Sequence, residues 1–136
     1  MENTIEDQML LATETNSIRK VEHYVDDLCA KLNVNTDHYG NILIALTEAV
    51  NNAMNHGNKM DPMKKVKLTC ESSDTCIDFK IEDEGDGFDY DSLPDPTEPE
   101  NIDKPNGRGV FLMKHLADEV SFHNDGRIIE LRFNYN

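Results

Sequence analysis

The sequence predicts an α+β two-layer sandwich, in which helices cover one face of a mixed, mostly antiparallel sheet. The predicted elements follow in the order strand, two helices, two strands, a long loop, a helix and two strands. Helices and strands therefore do not alternate, which argues against a doubly wound nucleotide-binding fold. The helices are too few to cover both faces of the sheet, so they are expected on one face.

The first half of the chain contains one strand and two amphipathic helices. An imperfect apolar alternation predicts the strand within 4–13. Helical spacing of apolar residues predicts a helix capped by Thr15 or Ser17. A second helix is expected to run from a cap at Thr36 to about residue 56, where Gly57 would end it in a left-handed conformation. The predicted core positions are Ile18, Val21, Val25, Leu28, Leu32, Tyr39, Ile42, Leu43, Leu46, Ala49, Val50 and Ala53.

The second half contains two strand pairs separated by an acidic loop and a helix. Alternating apolar residues predict a hairpin from 65–70 and 76–83, and a final strand pair near 120–124 and 127–134. Ten acidic residues and no Lys or Arg lie between Glu82 and Asp103. Three prolines exclude a regular helix there, so a lid is expected at about 88–106. The next helix is predicted by the spacing of Val110, Met113 and Leu116.

Composition limits the possible classes of protein. A length of 136 residues suits one domain spanning 1–136. The formal net charge is −14, which disfavours direct contact with nucleic acid or an anionic membrane. No apolar run could span a bilayer and no signal peptide is apparent. Three cysteines without a C-x-x-C pair predict free thiols, no zinc site and a cytoplasmic location.

The second predicted helix carries a carboxylate and an amide on one face. Glu48 and Asn52 are four residues apart, and His56 follows at the same spacing. This polar face could simply meet water. It could also hold a hydrated Mg²⁺, which needs few protein ligands because it retains several waters.

Two glycine motifs follow. In "DEGDG" the carboxylate of Asp83, at a strand end, could accept a hydrogen bond from an exocyclic amine, and glycines would let the backbone approach a ligand. A simple turn is the alternative, whereas the spacing of an EF-hand calcium loop is absent. In "NGRGVF" glycines open a helix whose N–H groups could face phosphates. A capping turn is the alternative, and neither the dinucleotide fingerprint nor the P-loop pattern is present.

In combination these motifs are more specific than each one alone. A helix with E-x-x-x-N, a hairpin, D-x-G-x-G, a lid and G-x-G at a helix start resemble the GHKL (histidine-kinase-like) ATPases. Within that superfamily, "ALTEAVNNAMNHGN", "IEDEGDGFD" and "GRGVFLMKHLADEV" closely resemble the bacterial anti-sigma factor serine/threonine kinases. The resemblance extends over nearly the whole chain.

The resemblance implies a role for each matching residue. Glu48 would be the general base, Asn52 would bind Mg²⁺ and Asp83 would receive the adenine amino group of ATP. Histidine kinases of two-component systems usually carry asparagine at the position of Glu48, so the carboxylate favours transfer to a hydroxyl or water, which must lose a proton. The roles of Asn51, Asn55, His56 and, in part, Arg108 stay open. The remaining nucleotide contacts would come from Gly85, Gly87, Gly107, Arg108, Gly109 and Val110.

The resemblance also implies a regulatory circuit. Members bind a sigma factor and phosphorylate a serine or threonine of an anti-anti-sigma protein, so the kinase switches between two partners. They are typically homodimers. Two alternatives remain open: a non-catalytic module that uses ATP only for partner switching, and a GHKL ATPase domain of another signalling system.

Overall fold

The computed structural model describes residues 4–85, 108–124 and 126–135. The predicted loop at 88–106 lies outside these residues. The described elements are β1 (Ile5–Ala12), α1 (Ser17–Leu32), α2 (Thr36–Asn52), a π-helical turn (Ala53–Gly57), β2 (Lys65–Ser72), β3 (Cys76–Asp83), α3 (Arg108–Leu116), β4 (Glu119–His123) and β5 (Ile128–Asn134).

The five strands form one sheet in the order β1-β2-β3-β5-β4. All four neighbouring pairs among these described strands are antiparallel. The predicted fold class is confirmed, and no parallel pair of a mixed sheet occurs within the described strands. Because β5 lies between β3 and β4, the end of β3 is close to the residues that precede β5, and Asp83 N donates to Arg127 O at 3.0 Å.

The core lies between the helices and one face of the sheet. Along β2, β3 and β5 every second side chain is buried, as the sequence alternation predicts. The rings of Phe79 and Phe133 meet edge to face, with centroids 6.0 Å apart. The helices bury Val21, Val25, Leu28, Ile42, Leu46, Ala49, Val50, Val110 and Met113 against this face.

The helix starts differ from the sequence prediction. Asn16 precedes α1 without a side-chain cap, and Ser17 Oγ donates to Ala12 O at 2.6 Å instead of accepting from the helix. Asn35, one residue before the predicted Thr36, caps α2 by accepting from His38 N at 3.0 Å. The predicted caps are wrong because neighbouring polar residues compete for the same position and tertiary contacts decide between them.

The end of α2 also differs from the prediction. Gly57 is not left-handed; the left-handed residues come after it, at Lys59 and Met60, with φ of 52° and 56°. Between Asn52 and Gly57 the chain widens into the π-helical turn, in which Asn58 N donates to Ala53 O at 2.8 Å. This turn interrupts the four-residue spacing, so His56 is exposed whereas Asn52 is buried.

Two further predictions concern disulfides and membranes. All three cysteines are free, as predicted, and Cys70 lies opposite Phe79 rather than Cys76 in the β2–β3 hairpin. Within the described ranges, no helix has the combination of length and apolarity that crossing a bilayer requires.

Candidate functional site

The helix corner consists of Glu48 and Asn52 on α2 and Gly109 in the first turn of α3. A Cβ atom on Gly109 would lie 3.0 Å from Glu48 Oε2 and 3.3 Å from Asn52 Nδ2. The structure therefore brings the E-x-x-x-N motif and the second glycine motif into contact. A larger residue than glycine would occupy the space beside both polar side chains.

Asn52 is the buried amide of the helix corner. It is 9% exposed, and its Nδ2 has no hydrogen-bond partner. A buried polar atom without a partner costs stability, which is unusual in a structural residue and expected in one that meets a ligand. Rotating the amide by half a turn exchanges nitrogen and oxygen, so the same position can present an oxygen ligand to a cation.

Glu48 supplies the carboxyl group of the helix corner. The side chain is half-buried, and this burial raises the pKa of the carboxyl above its ordinary value. A carboxylate with a raised pKa accepts a proton more readily, which is the property a general base requires.

The strand-end corner consists of Asp83, Gly57 and Gly85. Asp83 is the last residue of β3, and its Oδ1 accepts from Gly85 N at 2.8 Å. Its Oδ2 is buried without a partner. Burial raises the pKa of this carboxyl, although the Gly85 N–H and the charges of Arg127 and Lys64 act in the opposite direction. Asp83 therefore offers one free acceptor in a sheltered position.

The two glycines allow the close packing at the strand-end corner. A Cβ on Gly57 would lie 2.2 Å from Asp83 Oδ2, and a Cβ on Gly85 would lie 1.7 Å from Gly57 O. No side chain fits at either position without moving its neighbour. The contact of Gly57 with Asp83 was missed by sequence reasoning, since nothing local indicates that a helix end will meet a distant strand end.

Asn58 is a second residue of this region without a predicted role. It is 1% exposed, and its side chain bonds to Thr13 Oγ1, Lys65 O and Glu84 N at 2.9, 3.0 and 2.8 Å. Because Asn58 stands among other polar residues in the sequence, nothing local predicts that its side chain is buried. Its bonds join three separate parts of the chain beside Asp83.

The other predicted site residues are distributed differently. Gly87 and Gly107 lie outside the described residues. Arg108 is exposed at the start of α3, whereas the Val110 side chain is buried in the core, so only its backbone could face a ligand. Asn55 is exposed, and its Nδ2 donates to Asn51 O at 3.0 Å.

No ready-made metal centre is found among the described residues. They contain no group of three or more His, Cys, Asp or Glu side chains that could hold a metal ion. A cation bound through Asn52 would therefore need most of its ligands from water and substrate oxygens. This arrangement fits Mg²⁺, which commonly retains waters and binds phosphate oxygens.

Comparison with protein families gives one match over most of the chain. Residues 11–133 match the model of the histidine kinase-like ATPase domain. This region contains the helix corner and the strand-end corner together.

Individual relatives are also similar to this chain. The serine-protein kinase RsbW of Staphylococcus epidermidis is 35% identical over 92 residues, which cover 62% of this chain and 58% of that protein. The serine-protein kinase RsbW of Staphylococcus aureus strain Newman is 34% identical over 92 residues, which again cover 62% of this chain and 58% of that protein. The matched region thus spans little more than half of these relatives.

A solved structure shares the fold. The crystal structure of the RsbU and RsbW domains of Rv1364c from Mycobacterium tuberculosis superposes with a TM-score of 0.67 at 16% identity. The match covers 96% of this chain and 32% of that one.

Proposed function

The chain belongs to the histidine kinase-like ATPase domain family, and from this premise we propose that it binds ATP with Mg²⁺ and phosphorylates a serine or threonine of a protein antagonist. The antagonist is an anti-anti-sigma protein, and the other partner is a sigma factor. The similarity to serine-protein kinases supports this direction. The protein acts in the cytoplasm as a homodimer that exchanges the two partners.

Among the described residues, three buried side-chain polar atoms have no hydrogen-bond partner, and two of them carry the proposal because one lies at each corner; the third, Ser72 Oγ, is at the end of β2. Asp83 Oδ2 is an acceptor that suits the exocyclic amine of adenine, and Asn52 is an amide that suits Mg²⁺. Gly57 and Gly85 allow the backbone to pack directly around the Asp83 carboxyl, and Gly109 keeps the space beside Glu48 and Asn52 free of a side chain. ATP has complementary groups at its two ends, a base and a triphosphate.

The chemistry of transfer assigns a separate task to Glu48. Its carboxylate takes the proton of the attacking hydroxyl as the new oxygen–phosphorus bond forms and the bond to ADP breaks. Asn52 would hold Mg²⁺, which when bound neutralises charge on the phosphate oxygens. Glu48 Oε2 would lie 3.0 Å from a Cβ on Gly109, so the carboxyl is beside the first turn of α3, whose N–H groups could face the phosphates.

The first test separates binding from transfer. Purified protein is incubated with labelled ATP, Mg²⁺ and candidate antagonists that carry an accessible serine. Glu48→Gln keeps the shape but not the base, so transfer is expected to fall at least about a hundredfold, with ATP affinity nearly unchanged. Glu14→Gln, an exposed glutamate before α1, is the matched control. Undiminished transfer in Glu48→Gln would remove the base from its assigned role.

The second test concerns adenine recognition. Asp83→Asn can place a donor where the amine of adenine also donates, so ATP affinity is expected to fall about tenfold or more. The matched control is Asp27→Asn, an exposed aspartate of α1. Calorimetric titration gives both affinities, and equal values would contradict the proposed orientation of the base.

The third test removes the metal. Ten acidic residues occur in the sequence between Glu82 and Asp103, and their charge opposes that of a polyanion, so ATP binding is expected to weaken sharply when EDTA is added. Titrations with Mg²⁺ and with EDTA measure this directly.

Tight ATP binding by a protein that transfers no phosphate to any antagonist would favour the non-catalytic switching module.

A further inference from the structure

Asn58 is a buried amide with nearly all of its hydrogen-bonding capacity in use. Its Nδ2 donates to Thr13 Oγ1 at 2.9 Å and to Lys65 O at 3.0 Å, and its Oδ1 accepts from Glu84 N at 2.8 Å. Both amide hydrogens and one oxygen lone pair are therefore occupied. A buried amide bonded in this way restricts the position of each partner, since breaking any bond leaves a buried polar group unsatisfied.

The three partners belong to the same end of three neighbouring strands. Thr13 follows β1, Lys65 begins β2, and Glu84 follows β3. Glu84 is also the middle residue of the turn between Asp83 and Gly85, and its Oε1 accepts from Lys65 N at 3.1 Å. The bonds of a single amide thus fix this turn relative to β1 and β2.

The backbone of Asn58 fixes the opposite side of the strand-end corner. Its N–H donates to Ala53 O at 2.8 Å and closes the π-helical turn. That turn presents Gly57 to the carboxyl of Asp83. The Asn58 side chain therefore bonds to the turn after β3, and the Asn58 backbone bonds to the π-helical turn. These two segments lie on opposite sides of the Asp83 carboxyl.

We propose that Asn58 is a positioning residue that holds the Asp83 carboxyl where it distinguishes an exocyclic amine from a carbonyl on a purine base. The inference rests on the proposed function, because it presumes that Asp83 faces the base of a nucleotide. Asn58 itself does not touch the base. It acts through the turn after β3, so displacement of this turn weakens the bond to the amine and reduces the preference for adenine.

Inosine triphosphate is the probe that isolates this preference. It carries a carbonyl where ATP carries the amine and is otherwise nearly the same ligand. A site built to accept a bond from the amine rejects the analogue that lacks it. The ratio of the two affinities therefore reports the placement of the Asp83 carboxyl, whereas loss of global stability weakens both ligands together.

The experiment measures calorimetric affinities of ATP and inosine triphosphate in the presence of Mg²⁺, with thermal melting alongside. Asn58→Ala is expected to reduce the ATP preference about tenfold. Thr13→Val removes one of the three Asn58 bonds, together with the bond that Thr13 Oγ1 donates to Lys64 O at 2.6 Å, and is expected to reduce the preference about threefold. The matched control is Asn55→Ala. Asn55 is exposed at the end of the same helical segment and is expected to leave the ratio unchanged.

The outcomes separate this inference from the proposed function. A wild-type preference for ATP that persists in Asn58→Ala, with only a lower melting temperature, overturns the positioning role and leaves the nucleotide site intact. If Asn58→Ala does not fold, an unchanged ratio in Thr13→Val overturns the role equally. A wild type that binds neither nucleotide, or binds both equally, overturns the proposed adenine site and the positioning role together.

Discussion

The strand-end corner and the helix corner both depend on glycine, but they differ in what surrounds it. At the strand-end corner a Cβ on Gly85 would meet the backbone oxygen of Gly57 at 1.7 Å. At the helix corner a Cβ on Gly109 would meet the end of the Glu48 side chain at 3.0 Å. The first contact involves backbone on both sides, whereas the second involves the end of a side chain that can rotate.

This difference indicates how each corner responds to change. A backbone contact can relax only by moving strands or helices, and close-packed interiors resist such movement. A side-chain end can adopt another rotamer at modest cost. We therefore expect the strand-end corner to tolerate almost no added volume, and the helix corner to adapt around it.

The largest effect is expected for Gly85→Ala. The added methyl cannot coexist with Gly57 O in the present backbone, so the turn after β3 must move and carry Asp83 with it. Overpacking typically costs about 1–3 kcal/mol of folding stability, and because the displaced turn carries Asp83, ATP affinity is expected to fall about a hundredfold as well. Calorimetric titration measures it.

The control for that experiment is Gly40→Ala in α2. Apart from its chain neighbours and the adjoining backbone of α2, no heavy atom lies within 4 Å of the added Cβ, so the substitution is expected to stabilise the helix by about 1 kcal/mol and to leave ATP affinity unchanged. A loss in Gly85→Ala no greater than that in Gly40→Ala would contradict the rigid strand-end corner.

A smaller effect is expected for Gly57→Ala, which brings a methyl against a side chain rather than against the backbone. Its Cβ would lie 2.2 Å from Asp83 Oδ2, so much of the destabilisation should disappear when Asp83 is also shortened to alanine. A double-mutant cycle on the free energy of unfolding in urea is expected to give a coupling of about 1–2 kcal/mol. Additive effects would mean that Gly57 constrains something other than the carboxyl.

A still smaller effect is expected for Gly109→Ala at the helix corner. Glu48 and Asn52 can shift by a few tenths of an ångström to admit the methyl, so ATP affinity is expected to fall only about threefold. The same titration compares it with Gly85→Ala. If both glycines proved equally sensitive, the contrast between the two corners would not hold.

The smallest effect is expected on the free energy of unfolding of the Glu48→Gln variant and on its dependence on pH. The folded state holds the Glu48 carboxyl with a raised pKa, so stability is lost as the pH rises through that pKa and the carboxyl ionises. Glu48→Gln is therefore expected to raise the free energy of unfolding at pH 7.

This gain should vanish below about pH 4, where the wild-type carboxyl is neutral in both folded and unfolded states. Urea unfolding across the pH range provides the measurement, with Glu14→Gln as the exposed control. If the increase in the free energy of unfolding in Glu48→Gln became larger toward low pH, this would contradict a raised pKa for the Glu48 carboxyl.

Most of the fold could be predicted because its signals are local. Val66 and Leu68 alternate with polar residues along a strand, and Leu46, Ala49 and Val50 recur at helical spacing. These periods follow from backbone geometry and need no knowledge of the partner element. The loop that joins β3 to α3 lies largely outside the described residues, so its predicted role as a lid stays a prediction.

The candidate site could be predicted only in part. Glu48 and Asn52 share a helix face by spacing alone, and the family motifs add Asp83 and Gly109. Gly57 and Asn58 were not predicted as site residues because their contacts join the end of α2 to strand ends far away in sequence. Sequence signals for helix ends predict Gly57 only as a helix terminator, because they depend on neighbouring residues. They cannot predict its contact with Asp83, which is distant in sequence.

In the π-helical turn between Asn52 and Gly57, the number of residues is as important as their identity for placing Gly57 against Asp83. Deleting one residue there would favour ordinary α-helical bonding and rotate Gly57 about the helix axis by about 100°. The glycine would then no longer face Asp83, even though Glu48, Asn52 and Gly57 were all retained. Comparing the ATP affinity of such a deletion with that of Asn55→Ala, which changes an exposed residue of the same turn but keeps its length, would show whether the site is specified by the number of residues as well as by their identity.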